Sequence, residues 1–253
     1  MFDSHCHLDV AEFDADRSAV LARARQAGVK AQLLPAIEAA TWPKLRALCA
    51  SEADLRPAYG LHPVFLARHR PEHLDQLEAW LADGDAVAVG ECGLDYFVPD
   101  FDAEAQRFYF RRQLELARDH DLPVVVHARR ALDEVIALLR RVGGLRGVVH
   151  SFSGSEEQAR QLFKLGFCLG IGGPVTYERA QRLRRIVTAM PLEHLLLETD
   201  APDQPDATHR GERNEPARLA IVRDCIAALR RIEPAMLAAI TQANAERLFG
   251  RVR

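Results

Sequence analysis

Pro123-Val124-Val125-Val126-His127-Ala128-Arg129 sets an uninterrupted β-branched run against a histidine, and this pattern decides the fold. Three valines after a proline read as a short strand buried on both faces, the kind that parallel sheets contain. The pattern recurs along the chain. Gly147 to His150 repeats the valine run and the histidine, Ala86 to Glu91 ends in a glutamate, and Leu195-Leu196-Leu197-Glu198-Thr199-Asp200 ends in an aspartate. Met1 to His7, Val29 to Pro35, Arg56 to Leu61 and Gly166 to Ile171 complete a set of eight strand candidates.

Amphipathic segments of helical period separate them: Asp14 to Ala27, Trp42 to Ser51, Pro71 to Ala82, Ala103 to His120, Ala131 to Val142, Ser155 to Leu165 and Thr176 to Ala189. Strand and helix in alternation imply parallel strands joined by crossovers, and eight such units close into a (β/α)8 TIM barrel. A polar loop, Pro202 to Glu215, and two helices, Pro216 to Arg231 and Pro234 to Phe249, follow the last strand. An α/β barrel needs about 250 residues, so the 253 residues are expected to form one domain, 1–253. A doubly wound open sheet would more often place a glycine-rich phosphate loop after the first strand, where this chain has His5-Cys6-His7.

Composition narrows the function. Lys and Arg number 33 against 36 Asp and Glu, a net charge of −3, so no global basic field draws the chain to nucleic acid and any such substrate must be held locally. Five scattered cysteines form neither a disulfide framework nor a CxxC knuckle, which suits a reducing, cytoplasmic setting. The N-terminus does not read as a secretory signal, and no stretch approaches the roughly 18 apolar residues of a membrane span.

The chemistry sits where the apolar runs stop. In a strand, His5 and His7 share one face while Cys6 points to the other, so the pair can offer two nitrogens to one ion. Glu91, between Gly90 and Gly93, can bridge two cations; His127 and His150 are delivered on rigid strands. Asp200 can both ligate a metal and take the proton of an activated water. All six candidate ligands, His5, His7, Glu91, His127, His150 and Asp200, fall at C-terminal strand ends, where barrel enzymes keep their sites. Two divalent ions carry +4; with the two carboxylates the cluster is at +2, and a bound hydroxide lowers it to +1, a balance suited to a monoanion such as a phosphodiester.

The motifs resemble those of the TatD family of metal-dependent deoxyribonucleases, within the amidohydrolase-like barrels. The matching segments are DSHCHLD from Asp3, GLHP from Gly60, VGECGLDY from Val89, PVVVHAR from Pro123, VVHSFSG from Val148, LLLETDAP from Leu195, RNEP from Arg213 and NAERLF from Asn244. The resemblance implies a distorted barrel with two divalent ions, Mg²⁺, Mn²⁺ or Zn²⁺. It implies one ion held by His5, His7, Glu91 and Asp200 and the other by Glu91, His127 and His150, with Asp200 and Glu91 as the catalytic carboxylates. The activity it implies is phosphodiester hydrolysis through a metal-activated hydroxide, acting 3′ to 5′ on single-stranded DNA and extending to RNA, with no obligatory protein partner. A D-aminoacyl-tRNA ester or another carboxylic ester or amide is the alternative substrate, since the same hydroxide attacks carbonyls. A metal-stabilised scaffold without activity fits an open cluster poorly. The loop Asp203 to Glu212 departs from the shorter, more basic loop of the family.

The sequence leaves the substrate contacts open. His62 either meets a phosphate or hydrogen-bonds the turn at Pro63. Arg129 shares the face of His127 if its strand continues, and suits a scissile phosphate or a surface ion pair. Tyr96, Phe65 and Phe152 either stack on a base or pack. Arg210, Arg213 and Asn214 either meet the nucleic-acid backbone or, for the last two, brace the loop below Asp200. Cys6 and Cys92, beside ligands, are expected to point away from the cluster and stay buried.

Overall fold

The computed structural model describes residues 1–250; residues 251–253, part of the expected domain, lie outside the described residues. Eight parallel strands are ordered as they occur in the chain: β1 (Phe2–Asp3), β2 (Ala31–Pro35), β3 (Leu55–Tyr59), β4 (Ala88–Asp95), β5 (Val124–Arg129), β6 (Gly147–Val149), β7 (Phe167–Ile171) and β8 (Leu195–Leu197). The ring comes together between β8 and β1, where Ser4 N–H donates to Leu197 O at 2.9 Å and Asp200 N–H donates to His5 O at 2.9 Å. The architecture is the expected TIM barrel.

Seven helices lie between the strands: α1 (Arg17–Gln26), α2 (Trp42–Ser51), α3 (Glu72–Ala82), α4 (Ala103–Asp119), α5 (Leu132–Val142), α6 (Glu156–Lys164) and α7 (Gln181–Ala189). Helices α8 (Leu219–Arg230) and α9 (Pro234–Phe249) close the described chain. Thr176, expected to begin α7, instead ends a separate 3₁₀ turn, Gly173–Thr176, and α7 starts at Gln181. Gly28, at φ +84°, ends α1 in the left-handed conformation, which lets Val29 N–H reach back to Ala24 O at 3.0 Å.

The strands bury side chains on both faces, so the core has two layers. The larger lies between sheet and helices. The smaller fills the barrel: Phe2, Ala31, Leu33, Ala58, Ala88, Val125, Val148, Cys168 and Leu196 draw on every strand, and Phe249 of α9 closes the N-terminal end by stacking on Phe2 at 5.9 Å. Each large apolar side chain buried there contributes roughly 1.5–3 kcal/mol. Two residues further along the strands, the apolar filling gives way to Gly60, Gly90, His127, His150, Gly170 and Glu198. The barrel is therefore sealed below and chemically open above.

Candidate metal centre

The strand around His5 is shorter than expected, ending at Asp3 rather than His7, because only two of its residues pair with β2. The extended chain nonetheless continues between its neighbours, with Cys6 N–H on Leu33 O at 3.1 Å and His7 N–H on Ala201 O at 2.7 Å. Alternation therefore survives. His5 Nε2 and His7 Nε2 meet at 3.1 Å, while Cys6 is buried with its Sγ 3.9 Å from Gln32 Oε1. Cys92 turns its Sγ to the Val125 carbonyl, and burial pushes both thiols well above their ordinary pKa.

Glu91 occupies the centre. Strand β4 runs on to Asp95, four residues beyond its expected end, with a register shift against β5 between Val89 and Cys92. Glu91 Oε2 lies 3.2 Å from His5 Nε2 and 3.5 Å from His7 Nε2. Its Oε1 lies 2.8 Å from His150 Nε2, 3.1 Å from His127 Nδ1 and 3.0 Å from His62 Nε2. Burial penalises the charge, yet His62, His150 and His5 hold the carboxyl well below the usual range. Asp200 completes the group, its Oδ1 3.5 Å from His5 Nε2 and 3.7 Å from His7 Nε2. It lies beyond β8, which ends at Leu197 rather than at Asp200, and its φ of +57° turns the chain there.

These donors form three overlapping groups, His5–His7–Asp200, His5–Glu91–His150 and His62–Glu91–His127, each with its ligand atoms within 4.8 Å of one another. His127 Nδ1 also faces His150 Nε2 at 3.2 Å. Ring nitrogens that converge on one another and on a shared carboxylate are what a divalent cation requires, so this donor set fits metal ions that accept mixed nitrogen and oxygen ligands.

Three supporting residues escaped the sequence reading. Asp95 Oδ2 lies 2.9 Å from His127 Nε2 and so leaves Nδ1 free to ligate. Glu198 accepts Ser151 N–H through Oε1, which is also 3.9 Å from His150 Nδ1; neither that nitrogen nor Glu198 Oε2 has a hydrogen-bond partner. Burial raises the Glu198 carboxyl to about 8, and Gly170 makes room for it, since a Cβ there would lie 1.9 Å from Oε2. Gln204 donates its amide to Asp200 Oδ2 and accepts the Ser151 hydroxyl at 2.8 Å. Alternation could have flagged Asp95 from Glu91 and Glu198 from Asp200; nothing in the sequence marks Gln204.

The substrate candidates separate in space. His62 makes the turn hydrogen bond, its Nδ1 accepting Val64 N–H at 3.1 Å, and its Nε2 also lies against Glu91 in the cluster, which the sequence did not suggest. Burial lowers its pKa to about 4. Strand β5 does continue to Arg129, which lines the mouth of a cavity of about 1180 Å³ with Phe65 and Phe152. Tyr96 donates to Glu134 Oε2 at 2.7 Å and stacks on Phe101, outside that cavity. Arg213 is bound to Asp16 at 2.7 Å and lies over Phe13, so its guanidinium is committed away from the cluster. Asn214 takes the bracing role, donating to Thr199 O and Asp203 O at 2.8 Å each.

The chain is similar to known proteins over its described length. A family model described as TatD related DNase matches residues 2–250. An uncharacterised metal-dependent hydrolase of Escherichia coli K12, YjjV, is 44% identical over 92% of this chain and 91% of its own length. Its crystal structure superposes with a TM-score of 0.96 and 40% identity, covering 99% of this chain and 98% of that one. The 3′-5′ ssDNA/RNA exonuclease TatD of Cronobacter sakazakii is 37% identical over 98% of this chain and 97% of its own. The chain belongs to the TatD family of metal-dependent hydrolases.

Proposed function

We propose that this enzyme hydrolyses phosphodiester bonds of single-stranded DNA, and of RNA, from the 3′ end, as one hydrolase domain working in the cytoplasm. The observation that carries the reading is the division of the Glu91 carboxylate, with Oε2 toward His5 and His7 and Oε1 toward His127 and His150, beneath an open cavity that Arg129 overlooks. That division suits two ions: His5, His7, Glu91 and Asp200 would hold the first, and Glu91, His127 and His150 the second. When bound, divalent cations supply Lewis acidity to a phosphoryl oxygen and lower the pKa of water.

The chain's own groups do the rest. Asp200 receives the proton of the attacking water, and the Gln204 amide on Oδ2 holds that carboxylate so that Oδ1 faces the reaction. Asp95 fixes the His127 tautomer. The Arg129 guanidinium binds the phosphate at the mouth, and Phe65 and Phe152 give the bases an apolar wall. The name of the Cronobacter relative supports this substrate class. Among the described residues no helix is long and apolar enough to cross a membrane.

The test is cleavage of a 5′-labelled single-stranded DNA oligonucleotide by wild type and Glu91→Ala, with Mg²⁺ or Mn²⁺ and with chelator. A metal-dependent ladder shortening from the 3′ end, absent in the variant, is expected. An intact strand would overturn the nucleic-acid reading and turn attention to aminoacyl and other carbonyl esters.

A further inference from the structure

Many arginines of this chain are neutralised in place, Arg23 by Glu215, Arg25 by Asp54, Arg46 by Asp85 and Arg107 by Glu134 among them. Four around the cavity mouth are not. Arg129 and Arg130 lie against the Phe97 ring at 3.7 and 4.5 Å, Arg179 faces the Tyr177 ring, and Arg182 donates to the Ser153 carbonyl at 2.7 Å. Among the described residues none of the four has a carboxylate partner. In a chain of net charge −3, four guanidinium groups without a carboxylate partner thus border the same opening.

Beside the main cavity is a second depression of about 510 Å³, within the roughly 300–1,000 Å³ of small-ligand sites. Arg182, Ser153, Gly154 and Ala128 border both, so the two adjoin. Arg130 lines the second and Arg129 the first, and both guanidinium groups lie against Phe97, which lines neither but is 45% exposed beside them. The acids of the second depression are occupied: Asp133 accepts the Gln158 amide at 2.7 Å, and Glu134 is held by Arg107 and Tyr96.

Free guanidinium groups bind phosphate oxygens in a fork, and an exposed aromatic ring stacks on any base. A small uncharged ester would use neither. We propose that this depression is a second nucleotide subsite, in which Arg130 and Arg182 hold a phosphate next to the scissile one and Phe97 stacks on a base of the same single strand. The subsite rests on the phosphodiester reading above and extends it from a bond to a polymer.

The test uses the metal-loaded enzyme and compares cleavage of a DNA trinucleotide with that of a strand of about twelve nucleotides over a range of salt. Wild type is expected to favour the longer strand. Arg130→Ala and Phe97→Ala, each with a wild-type melting temperature, should lose roughly tenfold in kcat/KM on the longer strand, the loss falling on KM. Arg130→Ala should also reduce the salt slope by about one. Equal efficiency on both lengths, or variants that match wild type on the longer strand, would overturn the subsite while leaving strand cleavage intact. Failure of the wild type to cut either strand would remove the phosphodiester reading, and the subsite with it.

Discussion

Replacing Gly60 with alanine should disable the centre without touching a ligand. Gly60 follows β3, inside the barrel, and a Cβ there would lie 2.5 Å from Gly90 C, 2.6 Å from Gly90 Cα and 2.9 Å from Glu91 N. Its own φ lies outside the left-handed region, so the effect of the substitution is collision alone. All three contacts are backbone, which cannot swing aside as a side chain does. Restoring van der Waals distance moves the peptide that carries Glu91 by about 0.9 Å. Overpacking of this kind costs about 1–3 kcal/mol, and backbone on both sides places Gly60→Ala near the upper end. At about 2–4 °C per kcal/mol for a chain of this size, the melting temperature should fall by roughly 6–12 °C. The functional loss should be larger, on the order of a hundredfold in turnover, because Glu91 is the carboxylate shared by the histidines of both sides. Thermal melts followed by circular dichroism in chelator measure the first effect, and isothermal titration with Mn²⁺ or Zn²⁺ measures the displacement of the donors. A variant that melts within 2 °C of wild type and binds metal with unchanged affinity would refute the reasoning, since the barrel would then have absorbed the methyl group without moving Glu91.

Chelation should lower the melting temperature of the loaded enzyme: at a metal concentration about a hundredfold above Kd, linkage gives about 2.7 kcal/mol, and superimposable melts with and without chelator would contradict a resident metal. Asp95→Asn, which can offer His127 Nε2 a donor instead of an acceptor, should weaken metal binding by about 10–100-fold; competition with a chromophoric chelator reads this, and an unchanged Kd would show that β5 alone orients the ring. Asp200→Asn should fold yet lose most turnover at saturating metal, because an amide accepts a proton poorly; a near wild-type rate would place the proton elsewhere.

How much was legible depended on the range of the interactions. The runs Val124–Val126 and Leu195–Leu197 announced buried parallel strands because a strand covered on both faces must be apolar at every position, and that is a local property. Alternation placed His5 and His7 together and Cys6 apart even where β1 had already ended, because the extended backbone persists beyond its ladder of hydrogen bonds. The strand ends were misjudged for the opposite reason. At β8 the chain turns at Asp200, and at β4 the strand extends past Glu91; both are settled by neighbouring strands.

By itself, then, the sequence determined the barrel, its strand order and six side chains gathered at one end, since short-range apolar pattern and period-two alternation are written in consecutive residues. Only the tertiary structure decided that His62 faces Glu91 within the cluster, that Arg213 is taken by Asp16 from 197 positions away, and that Asp95, Glu198 and Gln204 support the centre. Except for Gln204 on Asp200, four positions away, those contacts join segments far apart in the chain, and a guanidinium or carboxylate carries no local mark of which partner it will meet when the ring closes.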